Sequence, residues 1–132
     1  MRNPLFKSLP LLIFFISTAM SCEKEDIEPL NQYRIGVEYS ITPDLSFTVE
    51  NIGDSRCPEG VVCVWEGDVH MDFIIIEGGN TIDTTMNLNY HRNYPSVFGG
   101  YTFEIQNVIP YPKYGEEVDP DDIRVVMGLI KQ

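Results

Sequence analysis

The chain predicts an all-β fold, a single antiparallel β-sandwich or small barrel of about seven strands. Apolar and polar residues alternate with a period of two along most of its length. Helix-period patterning is nearly missing once an N-terminal apolar run has passed. Turn residues punctuate the alternating stretches at short spacing, the mark of antiparallel two-layer folds.

The strands follow in order. Ile35, Val37, Tyr39 and Ile41 alternate with Arg34, Gly36, Glu38 and Ser40, giving one apolar face. After the turn-like Thr42–Asp44, Leu45, Phe47 and Val49 repeat the pattern. Val61 to Trp65 is nearly continuous in apolar residues and reads as a third strand, Val69 to Ile76 as a fourth. Glu77 to Asn80, Glu-Gly-Gly-Asn, is a hairpin turn, because such turns need positive φ and glycine adopts it without steric cost. It leads into Ile82, Thr84, Met86 and Leu88. Tyr101, Phe103 and Ile105 form a sixth strand ending near Pro110, and Ile123, Val125, Met127 and Leu129 a seventh. Two longer links remain: aromatic and polar Asn89–Gly100, and Pro110–Asp122, which carries "EEVDPDD".

Arg2 and Lys7 flank the start of a mostly apolar run, Leu9 to Met20, that ends in small residues. The run is too short for a spanning helix, which needs ~20 residues, and has the character of a signal peptide. With Ser21 and Cys22 following in "TAMSC", the segment resembles a bacterial lipoprotein precursor, which is cut before a cysteine carrying diacylglycerol. The commoner pattern has Leu where this chain has Ala19. The next residues, "CEKEDIEP", resemble the signal that takes Bacteroidetes-type lipoproteins to the outer face of the outer membrane. The resemblance implies residues 1–21 as signal peptide, 22–31 as a lipidated flexible tether, and 32–132 as the β-sandwich. It also implies lipidation at Cys22 and outer-membrane, cell-surface localisation. Several acyl chains, such as palmitate with diacylglycerol, at ~0.8 kcal/mol per buried methylene hold a protein firmly.

Removal of residues 1–21 takes Arg2 and Lys7 from nine basic residues, leaving seven against twenty acidic ones, a net charge of −13. Such a surface repels phosphate backbones and anionic headgroups, so nucleic acid is not an expected partner.

Three cysteines leave one unpaired in an exported protein. With Cys22 taken by lipid, Cys57 and Cys63 remain as a pair in an oxidising compartment. A structural zinc site wants four soft ligands, usually in two short-spaced pairs, and the chain offers one pair and two histidines. A redox pair typically has two intervening residues at a helix N-terminus. A disulfide is the expected state, with no cofactor and no metal. It closes a loop of about seven residues, a stabilisation of roughly 2 kcal/mol in the chain-entropy model. The lone Trp65 beside it is expected in the core. "DSRCPEGVVCVWEGDV" is similar to a motif of small Bacteroidetes-type lipoproteins, Asp-Ser-Arg-Cys-Pro, Val-x-Cys-Val-Trp and a Gly. In these a β-rich domain follows the lipid cysteine, and a Pro-Tyr-Pro-like segment, here Pro110 to Pro112, precedes the last strand. That resemblance implies fold and address, not activity.

Five residues are candidates for ligand binding. Arg56 has the charge to hold an acidic ligand, or else pairs with a local carboxylate while Asp54 and Ser55 cap a turn. Tyr90, Tyr94, Phe98 and Tyr101 lie in or beside one loop, with His91, and aromatic faces stack on sugars. Glu116, Glu117, Asp119, Asp121 and Asp122 are hard oxygen ligands of the calcium type, but without the spacing or central glycine of an EF-hand loop they read as a solvated loop. His70, in a strand among apolar neighbours, reads as structural. No nucleophile elbow, zinc-protease helix or phosphate loop occurs. The expectation is a non-catalytic binding or accessory lipoprotein with a glycan or protein ligand. The alternatives are a protease-inhibitor-like protein presenting Pro58 to Val62 on the Cys57–Cys63 loop, and an enzyme acting on cell-surface polymers.

Overall fold

The computed structural model describes residues 31–132. The expected signal peptide, Cys22 and nearly all of the expected tether lie outside the described residues.

Two four-stranded antiparallel sheets face each other. One is a meander of β2 (Glu38–Thr42), β3 (Leu45–Asp54), β4 (Val69–Glu77) and β5 (Asn80–Asn87), in that spatial order. The other runs β1 (Gln32–Tyr33), β8 (Arg124–Lys131), β7 (Tyr101–Ile109), β6 (Ser96–Phe98). Both sheets keep open edges, so the fold is a sandwich rather than a barrel. Between β5 and β6 a short helix, α1 (Leu88–Asn93), packs on β7 of one sheet and on β4 and β5 of the other.

Alternation places the core. Val69, Met71, Phe73 and Ile75 of β4 are buried without a break in period. In β7 the phase slips: Phe103 and Ile105 are buried, and then Val108 rather than Asn107. The slip coincides with a bulge, where Ile105 pairs with Met127 but Asn107 pairs with Val126. A bulge inserts one residue into one strand and so moves every later side chain to the other face. The same happens in β3, where Val49 pairs with Phe73 and Asn51 with Asp72, so that Ile52 packs on the core instead of Asn51. Phe47 lies at the centre of an aromatic cluster, with Tyr33, Tyr39 and Phe103 at 5.1–5.5 Å between ring centroids. Burial, and then the neighbouring Tyr39, raise the Tyr33 phenol above its ordinary value.

Six of the seven expected strands are present. The exception is Val61–Trp65, which is loop, and the two strands missed are short, β1 and β6. Since Asp54 pairs directly with Val69, everything from Ser55 to Asp68 is the connection of one hairpin. An apolar run there has no strand to pair with on either side among the described residues. Trp65, expected in the core, is 80% exposed for the same reason. The Glu77–Asn80 turn is as expected, with Gly78 and Gly79 at φ +56° and +81°.

Candidate functional site

Hairpin connections are commonly two to five residues, and much longer ones without secondary structure are either functional or disordered. Ser55–Asp68 is long, yet it is fastened at every level. At its neck Ser55 N–H donates to Asp68 O (2.9 Å) and Cys57 N–H to Glu66 O (2.8 Å), extending the β3–β4 ladder beyond the sheet. Gly67 makes this neck close: at φ +72°, a β-carbon built on it would lie 1.9 Å from Ser55 O. Further out, Cys57 and Cys63 are joined by a disulfide with 5.8 Å between their Cα atoms. The loop is also tied sideways to the segment after β7. Glu59 N–H donates to Pro112 O and Tyr114 N–H to Glu59 O, both at 3.0 Å, while the Tyr111 hydroxyl donates to Cys57 O at 2.8 Å.

Arg56 locks the base. Its guanidinium donates to both Asp54 carboxylate oxygens and, across the sandwich, to Val108 O at 3.0 Å and Pro110 O at 3.4 Å. The Tyr111 ring covers it, with the guanidinium carbon 4.6 Å from the ring centroid. Its side chain is only 8% exposed, so the charge is spent inside the protein rather than offered to a ligand. The carboxylate pairing expected for Arg56 is what forms, and Asp54 Oδ1 also accepts the Arg56 backbone N–H.

Fixed in this way, the loop turns its apolar residues outward. Val62 and Val64 are fully exposed, and Trp65 and Tyr114 are largely so. The arrangement therefore offers a preformed apolar tip, flanked in sequence by Glu59 and Glu66, that can meet a partner without first being ordered. Preorganisation of this kind lowers the entropic cost of association.

The aromatic candidates separate into two groups. Phe98 and Tyr101 pack against the core, Phe98 edge-on to Phe103 at 5.3 Å, so neither belongs to a sugar-stacking surface. Tyr90 and Tyr94, on and just after α1, are exposed and lie against each other at 5.0 Å. His91 accepts the Asn87 N–H through Nδ1 at 2.8 Å and so supports the start of α1. His70 points outward, its ring lying over Gly53 of the paired strand, where a β-carbon would meet it at 1.8 Å. Asp119 accepts the Asp121 N–H at 2.9 Å at the head of a 3₁₀ turn, Pro120–Asp122. Among the described residues no three His, Cys, Asp or Glu side chains converge as a metal site.

Beside the loop lies an open cleft of about 270 Å³ between the hairpin neck, α1 and the end of β7. Asn89, Arg92, Asn107 and Tyr111 line it, with Glu66 and the Cys57 end of the disulfide. Sequence reasoning marked Cys57 for its disulfide and Tyr111 for its Pro-Tyr-Pro segment but missed the grouping, since no spacing links these residues and only the fold brings them together. The signals in the sequence were the presence of Asn89 and Arg92 in one of the two links marked as unusual and of Tyr111 in the other. Compared with protein-family models, curated proteins and solved structures, the chain matches none.

Proposed function

We propose that the protein is a lipid-anchored, non-catalytic binding module of the outer membrane, displayed at the cell surface, whose Cys57–Cys63 loop contacts a protein partner. The observation that carries this reading is the outward apolar tip of a tightly fastened loop: Val62, Val64 and Trp65 stand in solvent while the chain beneath them is held by a disulfide and by hydrogen bonds. Exposed apolar groups clustered on one structural feature mark interaction surfaces, and tryptophan is prominent among residues that dominate binding energy. The acidic chain suits a partner with a basic rim around an apolar pocket.

Two experiments test it. Cys22→Ser should release the protein from membranes or stall its processing; a variant still fractionating with the outer membrane after salt washing contradicts lipid anchoring. A photo-crosslinking residue at Val62 should yield a discrete adduct on intact cells, where the same residue at Thr85 of β5 should not. Equal labelling from both positions rules out the loop as the contact.

The same loop favours a second reading, a protease inhibitor, because Pro58 to Val62 is exposed or partly exposed on a disulfide-braced segment. Titration against a protease panel decides it: inhibition that disappears when the loop is cut supports it, and no inhibition at stoichiometric protein disposes of it.

A further inference from the structure

We propose that the cleft beside the loop neck is a saccharide-binding subsite, sized for about one sugar ring, with Asn89, Arg92, Asn107 and Glu66 as its polar contacts and Tyr111 as its aromatic wall. At about 270 Å³ the cleft lies just below the ~300–1,000 Å³ typical of small-molecule sites, and it is open on one side.

Three of the four polar groups, Asn89, Arg92 and Asn107, are held from behind and leave one side unused. Asn89 Nδ2 donates to Gly67 O at 3.2 Å and its backbone N–H to Asp68 Oδ1 at 3.0 Å, so its Oδ1 has no partner among the described residues. Asn107 Oδ1 accepts the Val108 N–H at 2.9 Å, which fixes the amide and leaves Nδ2 without a partner among the described residues. Arg92 spends one amino group on Gln106 O at 2.9 Å, at the bulge in β7, and its Nε and other amino group have no partner among the described residues. Glu66 brings two carboxylate oxygens, and it forms no ion pair with Arg92 although both line the cleft. Tyr111, 44% exposed, is held by its hydroxyl bond to Cys57 O and by its contact with Arg56.

The unused groups are thus donors and acceptors together: an amide N–H and a guanidinium against an amide oxygen and a carboxylate. A phosphate or sulfate is an anion, so the Glu66 carboxylate would repel it. A simple amine would face Arg92. An apolar ligand would desolvate all four side chains without replacing their hydrogen bonds with water. Sugar hydroxyls donate and accept at once, so neighbouring hydroxyls on one ring satisfy both kinds of group, and the C–H face of the ring suits an aromatic wall. Arg56 also lines the cleft, but its guanidinium is engaged with Asp54 and two carbonyls, and it serves by holding Tyr111.

This subsite is independent of the loop tip, and its test is separate. Purified mature protein is mixed with methyl α-glucoside, methyl α-mannoside, galactose, N-acetylglucosamine and glucuronate, and saturation-transfer NMR is recorded on each. At least one should receive saturation and bind at millimolar strength. Arg92→Ala and Asn107→Ala, both at exposed positions, should each weaken it about fivefold, as expected for losing one net hydrogen bond. Trp65→Ala should leave sugar binding unchanged. No transfer to any of the five sugars at tens of millimolar overturns the proposal. Transfer that survives both Arg92→Ala and Asn107→Ala, in variants shown to be folded by their thermal melts, overturns it as well.

Discussion

Val69, Met71, Phe73 and Ile75 are sealed between the two sheets, whereas Val62, Val64 and Trp65, a few residues earlier, stand in solvent. The two stretches are alike in apolar character, so hydropathy does not separate them. Partnership does. β4 has β3 on one side and β5 on the other, and its alternate side chains meet the facing sheet. The loop begins where that pairing ends, at Asp54 opposite Val69, and leaves the sheet as a narrow neck. Burial of apolar residues normally follows from the ~25 cal/mol per Å² that burial contributes. An apolar tip that forgoes this needs a brace to keep it from folding back, and here the brace is covalent as well as hydrogen-bonded.

Breaking the core side of the contrast should cost most. Phe47 is fully buried at the centre of the aromatic cluster, and Phe47→Ala should destabilise by ~3–5 kcal/mol, read as a lower urea midpoint. Next comes the joint between the two regions. Arg56→Ala removes a guanidinium that satisfies Asp54 and two carbonyls, and should cost about 3 kcal/mol because those acceptors are left unmatched. Arg56→Lys should recover only a minor part, since one ammonium cannot reproduce a planar fork reaching the carboxylate and both carbonyls. Full recovery by lysine would mean that charge alone matters there.

What was legible in the sequence follows the same division. Period-two alternation located β2 to β5, β7 and β8, because a sheet with one buried face writes itself into the chain. The Gly78–Gly79 turn was legible for a similar reason, positive φ demanding glycine. The bulges in β3 and β7 were not, because an inserted residue looks like an ordinary lapse in pattern. Nor was the fate of Val61–Trp65, since a short apolar run reads alike as a buried strand and as an exposed loop tip. Of the candidate site, the Cys57–Cys63 pair could be read locally, as could a carboxylate partner for Arg56, although Asp54 was expected to cap a turn rather than to be that partner. Arg92 with Asn107, and Arg56 with Tyr111, are joined only through tertiary structure, and nothing in their spacing announces it.

The disulfide sharpens the comparison from the loop side. Cys57→Ser with Cys63→Ser should lower stability by about 2 kcal/mol, or on the order of 10 °C in Tm, because the closed loop is short. The sandwich itself should survive, since the core residues lie in the sheets and α1. The neck hydrogen bonds and the Glu59 bridge to the Pro112–Tyr114 segment do not depend on the cysteines either. Partner binding should fall further than stability does, as the tip regains conformations that must be lost again on association. Two free thiols in purified, unreduced wild-type protein would contradict the brace.

The smallest effect on stability separates the regions most cleanly. Trp65→Ala removes the largest side chain of the loop, yet the ring is mostly in water, so stability should change by no more than ~0.5 kcal/mol. A core tryptophan would cost ~3–5 kcal/mol, and the two outcomes do not overlap. Trp65 is the single tryptophan of the chain, so its fluorescence reports this one position. In the folded protein its emission should already resemble that of solvated indole, with ready quenching by acrylamide and little red shift on unfolding in urea. If the loop tip is the contact surface, adding the partner should shift emission to the blue and protect the ring from quencher, while Trp65→Ala lowers affinity without lowering the melting temperature. A blue emission maximum in the isolated protein, moving sharply to the red in urea, would place Trp65 in the core and remove the exposed tip on which the loop reading rests.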